Sequence, residues 1–375
     1  MSLARGLADL RAENGAREFE ITLATQTPRE DFDDSALPFP VVRQPGFWRL
    51  MRLVRSADVV HLAGPSFLVM LLSWFLGKPF VIEHHGYQAI CPNGVLIHQP
   101  ERSVCPGHFQ AGNYAECWKC QSAEVSKMRS LVHVLAAFPR NALARRAARN
   151  FAISEHVRRR LTLPRTCVVQ YGIDTAPEGA TSLSPGDLPS SKKVCFAFVG
   201  RFVPEKGISV LVEALANLRR HQLEFEAKLI GDGPERPKIQ SEIAAAQLDS
   251  SVKITGYVSG AALAEVIADV SVVVMPSIWE ETAGLAAMEQ MMRGRLVVCA
   301  DIGGLTEIVG DAGLKFPAGN ATALAACLRR VIENPRLVEE FGAKARNRAW
   351  EQFTRSRMID EHAAIYRNIW TKPNK

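Results

Sequence analysis

Two carboxylates eight residues apart, Glu281 and Glu289, lie in VVVMPSIWEETAGLAAMEQ, which reads as a buried strand, a loop and then a helix. With a helix starting near Ala283, Glu281 falls in the loop before it and Glu289 projects about two turns in. One loop and one helix can thus present two carboxylates to sugar or ribose hydroxyls, each charged hydrogen bond contributing roughly 1.5–3 kcal/mol. The N–H groups of Ala283, Gly284 and Leu285 at the helix start would face phosphates, and Gly284 permits close approach. Two cations, Arg201 and Lys206, flank a strand-to-helix turn in VGRFVPEKG, just after Gly200, where they could hold a diphosphate. LIGDGPE places Gly231 and Gly233 at the end of another strand, and ITGYVSG ends the next. Taken singly, such cations are usually solvated and such glycines usually form turns.

Three further groups carry chemistry. His85 ends a strand in VIEHHGY, and alternation sends His84 to the opposite face. A lone His at a strand end is usually structural. Cys91, Cys105, Cys117 and Cys120 fall within thirty residues, with one C-x-x-C spacing. A structural zinc site, a set of unbridged or redox-labile thiols and an iron–sulfur cluster are the three readings, and a disulfide framework is disfavoured. Finally, ten Lys or Arg against the single acid Glu155 occupy Val125–Ile173 in a chain of net charge +6. That block is either a solvated helix surface or an attraction for anionic lipid headgroups or a phosphate-bearing acceptor. Nucleic acid ranks last, because the block lacks interleaved aromatics for base stacking.

The elements that must position these residues follow a β/α alternation. FEITLAT, DVVHLAG, PFVIEHHG, RNFAISE and TCVVQYG read as strands of a first domain, residues 1–173, with a Cys-rich insertion at 91–120. A Pro-, Ser- and Gly-rich linker spans 174–193. KVCFAFVG, FEAKLIG, SVKITGY, VSVVVMPS, LVVCAD and a short GLKFPAG then build a second domain over 194–352. Their near-continuous apolar character suits strands covered on both faces. A last helix in 353–375 is expected to pack back on the first domain. Ligands of open parallel sheets bind beyond the carboxyl ends of the strands, so the chemistry is expected in a cleft between two doubly wound domains.

The longest apolar run, Phe67–Leu76, is about half the roughly 20 residues a membrane span needs, and reads as a buried helix. Met1 is followed by no apolar signal core, which points to a cytoplasmic location. The basic block allows a peripheral position at the inner face of the membrane.

GRFVPEKG, IGDGPE, the pair Glu281-x7-Glu289 and Gly303-Gly304-x-x-Glu307, in this order at strand ends, resemble family 4 of the retaining glycosyltransferases. The resemblance runs from Asp58 to the C-terminus. It implies a GT-B fold, α/β with two Rossmann-like domains facing a cleft. It also implies that Arg201 and Lys206 neutralise the donor diphosphate, that Glu281 contacts the sugar, and that Glu289 holds the ribose. Glu280 is the rival to Glu281, but only Glu281 gives the seven-residue gap. His85 is placed near the transferred sugar by the same resemblance. Metal is not required for the chemistry, the leaving phosphate itself helps deprotonate the acceptor, and no general base is assigned. A UDP- or GDP-sugar donor and a glycan or lipid-linked acceptor follow as expected partners. The alternative is a degenerate GT-B protein that binds nucleotide or a partner without turnover. Two substitutions express the donor assignment: Glu289→Ala should weaken nucleotide binding, and Lys206→Ala should abolish transfer with the fold intact.

One departure stands out. Family members begin with a strand and a glycine-rich loop before the helix that Leu3–Leu10 resembles. In order 3-2-1-4-5 that strand is central, and its loss leaves its neighbours unpaired. A start site placed downstream of the true one, or a truncated sequence, is the expected explanation.

Overall fold

The computed structural model describes residues 1–28, 33–174 and 193–370. The chain divides into two compact units, one comprising Met1–Gly172 with the segment from Thr354 onward, the other Ile173–Phe353. Apart from its two end residues, the expected linker 174–193 lies outside the described residues.

The first unit opens with α1 (Ser2–Asp9), β1 (Leu23–Thr25), β2 (Val41–Arg43), α2 (Phe47–Ser56), β3 (Val60–Ala63), α3 (Phe67–Phe75) and β4 (Phe80–His84). The Cys-rich insertion contains a short antiparallel pair, β5 (Ile97–His98) and β6 (Ser103–Val104), then α4 (Tyr114–Ser122). α5 (Lys127–Ala144), β7 (Arg149–Ala152), α6 (Glu155–Leu161) and β8 (Thr166–Val168) complete this stretch. Strands β3-β4-β7-β8 form one parallel sheet, whereas β1 and β2 form a separate parallel pair. Among the described residues no strand joins the two, which is the break expected where a central strand is wanting. The expected strand FEITLAT contracts to Leu23–Thr25, and its partner Val41–Arg43 carries only three residues of pattern, too few to read from sequence.

The run Phe67–Leu76 forms α3, but it is not a buried helix. Met70, Leu72 and Ser73 are buried, while Phe67, Leu68, Leu71, Trp74 and Phe75 face solvent. A helix that is apolar around its whole circumference offers more surface than packing on one side can cover.

The second unit contains β9 (Val194–Val199), α7 (Ile208–Arg220), β10 (Phe225–Ile230), α8 (Arg236–Ala245), β11 (Val252–Gly256), α9 (Gly260–Val266) and β12 (Val272–Met275). α10 (Leu285–Met292), β13 (Leu296–Ala300), α11 (Gly303–Val309), β14 (Leu314–Phe316), α12 (Ala321–Glu333) and α13 (Arg336–Gln352) follow. All six strands are parallel, in the order β11-β10-β9-β12-β13-β14. Numbered within the unit this is 3-2-1-4-5-6, the doubly wound order, in which the direction of strand addition reverses between β9 and β12. Phe196, Phe198, Val272, Val274 and Val298 are fully buried, as strands covered by helices on both faces require.

α14 (Arg355–Trp370) returns to the first unit, where Met358, Ile359, Ala363 and Tyr366 pack with Leu7, Val81 and Phe151. His84 on β4 is fully buried, and its Nε2–H donates to Asn150 Oδ1 at 2.8 Å. Burial lowers its pKa to about 4, against the Asn150 hydrogen bond that favours the charged form. The unfolded chain takes up this proton near pH 6.5 and the folded chain only near 4, so stability is lost as pH falls through that window. The expected loss is about 3 kcal/mol, read by urea denaturation between pH 7 and 4. A His84→Gln variant should show a flatter pH dependence.

Candidate functional site

In the second unit the turn after β9 and the loop after β12 flank the point where strand order reverses, the crevice in which doubly wound sheets bind ligands. Lys206 comes from the first and Glu281 from the second. They form an ion pair at 2.5 Å, with side chains 20% and 7% exposed. Ser277 Oγ donates to the same Glu281 Oε1 at 2.6 Å. Sequence reasoning missed Ser277. Its signal was its place four residues before Glu281 at a strand end, which does not distinguish it from a turn serine.

Backbone contacts fix this arrangement. Ile278 N donates to Glu205 O at 3.0 Å, tying the Lys206 turn to the Glu281 loop. Gly207, at φ +64°, brings that turn so near Pro276 that a Cβ there would lie 2.0 Å from the Pro276 carbonyl oxygen. Gly207→Ala is therefore expected to reduce stability by several kcal/mol, about 1–2 from the left-handed backbone alone, and to part Lys206 from Glu281. Thermal denaturation of the variant checks this. On the other side, Gly304 N donates to Glu281 O at 2.6 Å, and a Cβ on Gly303 would lie 2.7 Å from the Glu280 backbone. The Gly303-Gly304 pair thus lets α11 start against the loop and hold Glu281 in place.

The other predicted donor-side residues lie at the same edge of the sheet. Arg201 is exposed beyond β9, next to Gly200, and its side chain makes no hydrogen bond or ion pair among the described residues. Gly231 N bonds Gly256 O, and a Cβ on Gly231 would meet Gly200 O at 1.9 Å, so the two loops touch through backbone. Beside them, Asp232 Oδ1 accepts from Gly233 N at 2.8 Å and Oδ2 from Arg236 at 2.7 Å, which together hold this exposed carboxyl below its usual pKa.

α10 starts at Leu285, two residues later than expected, with Gly284 as N-cap in the left-handed region (φ +59°) and Ala283 buried before it. Leu285 is exposed, and the first-turn N–H groups of a helix have no intrahelical partner. Glu289, on the second turn, is exposed, yet partial desolvation raises its carboxyl pKa against the opposing pull of Arg293. A fixed cation, a carboxylate held by Lys206 and Ser277, and a helix start with a second carboxylate behind it can bind an anionic, hydroxyl-rich ligand.

In the first unit His85 is exposed at the end of β4, stacked on Tyr171 and hydrogen-bonded through Nδ1 to its hydroxyl. His85 Nε2 lies 3.9 Å from Glu83, and the same Glu83 oxygen accepts from His61 Nε2 at 3.3 Å. His61 Nδ1 in turn meets the Tyr366 hydroxyl at 2.6 Å. Burial pushes the Glu83 pKa up, but the His61 hydrogen bond and the imidazoles of His61, His85 and His362 outweigh it, and the net shift is downward. Glu83 and Tyr171 therefore orient His85, and neither was singled out from sequence: Tyr171 comes from 86 residues away, whereas Glu83 stands two residues before His85 on the same strand, where alternation could have found it.

Cys91, Cys105, Cys117 and Cys120 are all free, all buried and all line one cavity of the insertion. Burial first, then the nearby Cys91, Cys105 and Cys120 thiols, push Cys117 up to about 12. Among the described residues the one trio of ligand atoms mutually within 4.8 Å is Cys195, Glu226 and Asp269, where Lys228 already neutralises Asp269 at 2.5 Å.

The basic block is less uniform than its composition suggests. Arg140, Arg149, Arg160 and Arg165 donate to backbone carbonyls and Arg158 pairs with Glu155, so half of its ten cations serve local structure. No helix among the described residues is long and apolar enough to cross a membrane.

Solved structures with this architecture identify it as the GT-B fold. Sucrose-phosphate synthase of Thermosynechococcus elongatus superposes with TM-score 0.69 at 20% identity, over 98% of this chain and 92% of that one. Anabaena HepE in complex with UDP-glucose gives TM-score 0.64 at 20% identity, over 88% and 86%. Residues 184–348, most of the second unit, match the family model of glycosyl transferases group 1. The alpha-D-kanosaminyltransferase of Streptomyces kanamyceticus is 32% identical over 174 residues, 46% of this chain and 45% of the relative. The chain thus spans about half the length of the curated relatives it matches.

Proposed function

We propose that the protein is a retaining glycosyltransferase that moves a sugar from a UDP- or GDP-sugar to a glycan or lipid-linked acceptor in cell-surface polysaccharide or glycolipid synthesis. The observation that carries this is the Lys206–Glu281–Ser277 cluster across the switch point of the second unit, beside the open start of α10. One protein of similar fold, Anabaena HepE, is known in complex with UDP-glucose, and the group 1 match covers the second unit of this chain. On this reading Lys206 and Arg201 take the diphosphate charge with the N–H groups of Ala283, Gly284 and Leu285, so no metal is needed for the leaving group. Glu281 accepts from the sugar hydroxyls and Glu289 from the ribose. The departing phosphate helps remove the acceptor proton, and the family resemblance gives His85 a role toward the transferred sugar. The protein works in the cytoplasm, against the inner face of the membrane.

The second reading is a GT-B protein that binds nucleotide without turnover, favoured by the split sheet of the first unit. Calorimetry with intact donors together with a donor-hydrolysis assay separates them. Binding with slow hydrolysis supports the enzyme, and binding with no turnover in any donor and acceptor combination supports the second reading.

A further inference from the structure

The chain exposes two apolar helix faces side by side in the first unit. On α5, Met128, Leu131, Val132, Leu135 and Phe138 recur at i, i+3, i+4, i+7 and i+10, the spacing of a single helix face. That face is the one turned outward: Met128 is 72% exposed, Val132 55% and Leu135 56%. α3 packs against α5 and adds Phe67, Leu68, Leu71, Trp74 and Phe75, the last 80% exposed. Scattered exposed apolar residues are ordinary, but contiguous ones on neighbouring helices mark an interaction surface.

Charge decides the occupant. No Asp or Glu occurs in residues 59–82 or 125–154, which contain both helices. The cations of the basic block that are not spent on local structure include Lys127 and Arg129 at one end of α5 and Arg145 and Arg146 just past the other. All four are exposed, none forms an ion pair among the described residues, and the Arg146 guanidinium sits 5.0 Å over the Trp74 ring. An apolar face with aromatic side chains, bordered by cations and with no acid on either helix, Glu124 being the nearest in sequence to α5, is what an amphipathic surface needs to lie in the headgroup region of an anionic bilayer.

We propose that the outward faces of α3 and α5 dock the first unit on an anionic lipid surface. This deepens the membrane-side reading above and does not depend on the donor chemistry of the second unit. The test is flotation of the full chain with vesicles of phosphatidylcholine alone or mixed with phosphatidylglycerol. Binding to the mixed vesicles should exceed binding to the neutral ones at least tenfold and weaken with salt. The double variant Val132→Glu/Leu135→Glu should lose that binding while still binding UDP-sugar as the parent chain does. Arg145→Glu/Arg146→Glu should abolish the preference for anionic lipid. Equal binding to both vesicles would overturn the proposal. So would a stable dimer that Val132→Glu/Leu135→Glu converts to monomer, since a second copy would then cover the face. Loss of donor binding with vesicle binding intact would strike the glycosyltransferase reading alone.

A second, independent observation concerns the insertion. Its four cysteines come from the loop after β4, the residue after β6, and α4, yet line a single cavity with room for one water-sized sphere, about 10 Å³. Two of the sulfurs already accept hydrogen bonds, as a ligating thiolate does. Cys120 Sγ accepts from Asn93 Nδ2 at 3.3 Å and Gln99 N at 3.4 Å, and Cys105 Sγ accepts from Gly107 N at 3.5 Å, whereas the Cys91 thiol donates to Asn93 Oδ1 at 2.9 Å. His98 lines the same cavity, 6% exposed, with its Nε2 lacking a hydrogen bond among the described residues. We infer that these four cysteines hold one zinc ion that staples the insertion. Zinc would draw the sulfurs to roughly 3.8 Å of one another, as bonds of about 2.3 Å in a tetrahedron require. Elemental analysis of the full chain purified without chelator should find one zinc per chain, reduced at least tenfold in Cys117→Ser/Cys120→Ser. Replacement by cobalt in the parent chain should give the strong thiolate charge-transfer and tetrahedral absorption bands, a readout that needs no variant to fold. A metal-free parent chain, or iron with cluster absorption, would contradict the assignment.

Discussion

Lys206→Ala is expected to lower sugar transfer by at least about 10²–10³-fold, the loss found when a fixed donor to developing negative charge is removed. The structure adds a consequence that composition and spacing did not contain. Lys206 is the cation paired with buried Glu281, so its removal leaves that carboxylate uncompensated, an effect of about 3–5 kcal/mol. The expectation of an intact fold with lost transfer is therefore revised: the variant should also unfold at lower denaturant. Lys206→Met combined with Glu281→Gln removes both charges and should recover most of the stability while transfer stays lost. Denaturation and transfer measured on the single and double variants separate the two roles. Transfer at the parent rate in Lys206→Ala would sink the assignment of this lysine to the donor phosphates.

The second large effect is on nucleotide affinity. Glu289→Ala should weaken binding of UDP or GDP roughly tenfold or more, because an ionised acceptor of the ribose hydroxyls contributes roughly 1.5–3 kcal/mol. The pKa of Glu289 is raised, so its carboxylate protonates at a higher pH than an ordinary glutamate. Affinity should accordingly begin to fall sooner on acidification than in a Glu289→Gln variant, whose binding is already weak and should not follow that titration. Calorimetric titrations of both chains from pH 7 down to 4.5 read the difference. Unchanged affinity in Glu289→Ala would place the ribose elsewhere.

The parts of this molecule that were legible in sequence are those written locally. Of the six strands of the second unit, β9, β12 and β13 are near-continuous apolar runs while β10, β11 and β14 include charged residues, and each is ended by a Gly, Pro or Asp turn. The Glu281–Glu289 spacing is a property of one loop and one helix, as is the alternation that buries His84 and exposes His85. What escaped was set by partners distant in the chain. Ser277 is informative only once Glu281 and Lys206 are seen to converge on one oxygen. Tyr171 orients His85 from beyond β8, and Tyr366 bonds His61, 305 residues away, which in turn holds Glu83. α3 was misread for a related reason: apolar composition states that a helix is hydrophobic and leaves open whether a neighbour covers it. The basic block failed the other way, since half of its cations turned out to hold carbonyls or Glu155.

The central claim is that the second unit holds a nucleotide-sugar. The most direct measurement is isothermal titration of the full chain with a panel of intact UDP- and GDP-sugars in chelator, repeated with Lys206→Met/Glu281→Gln. One donor should bind the parent chain with a stoichiometry of about one and lose most of that affinity in the double variant. Failure of every donor to bind the folded parent chain, or equal affinity in the double variant, would contradict it.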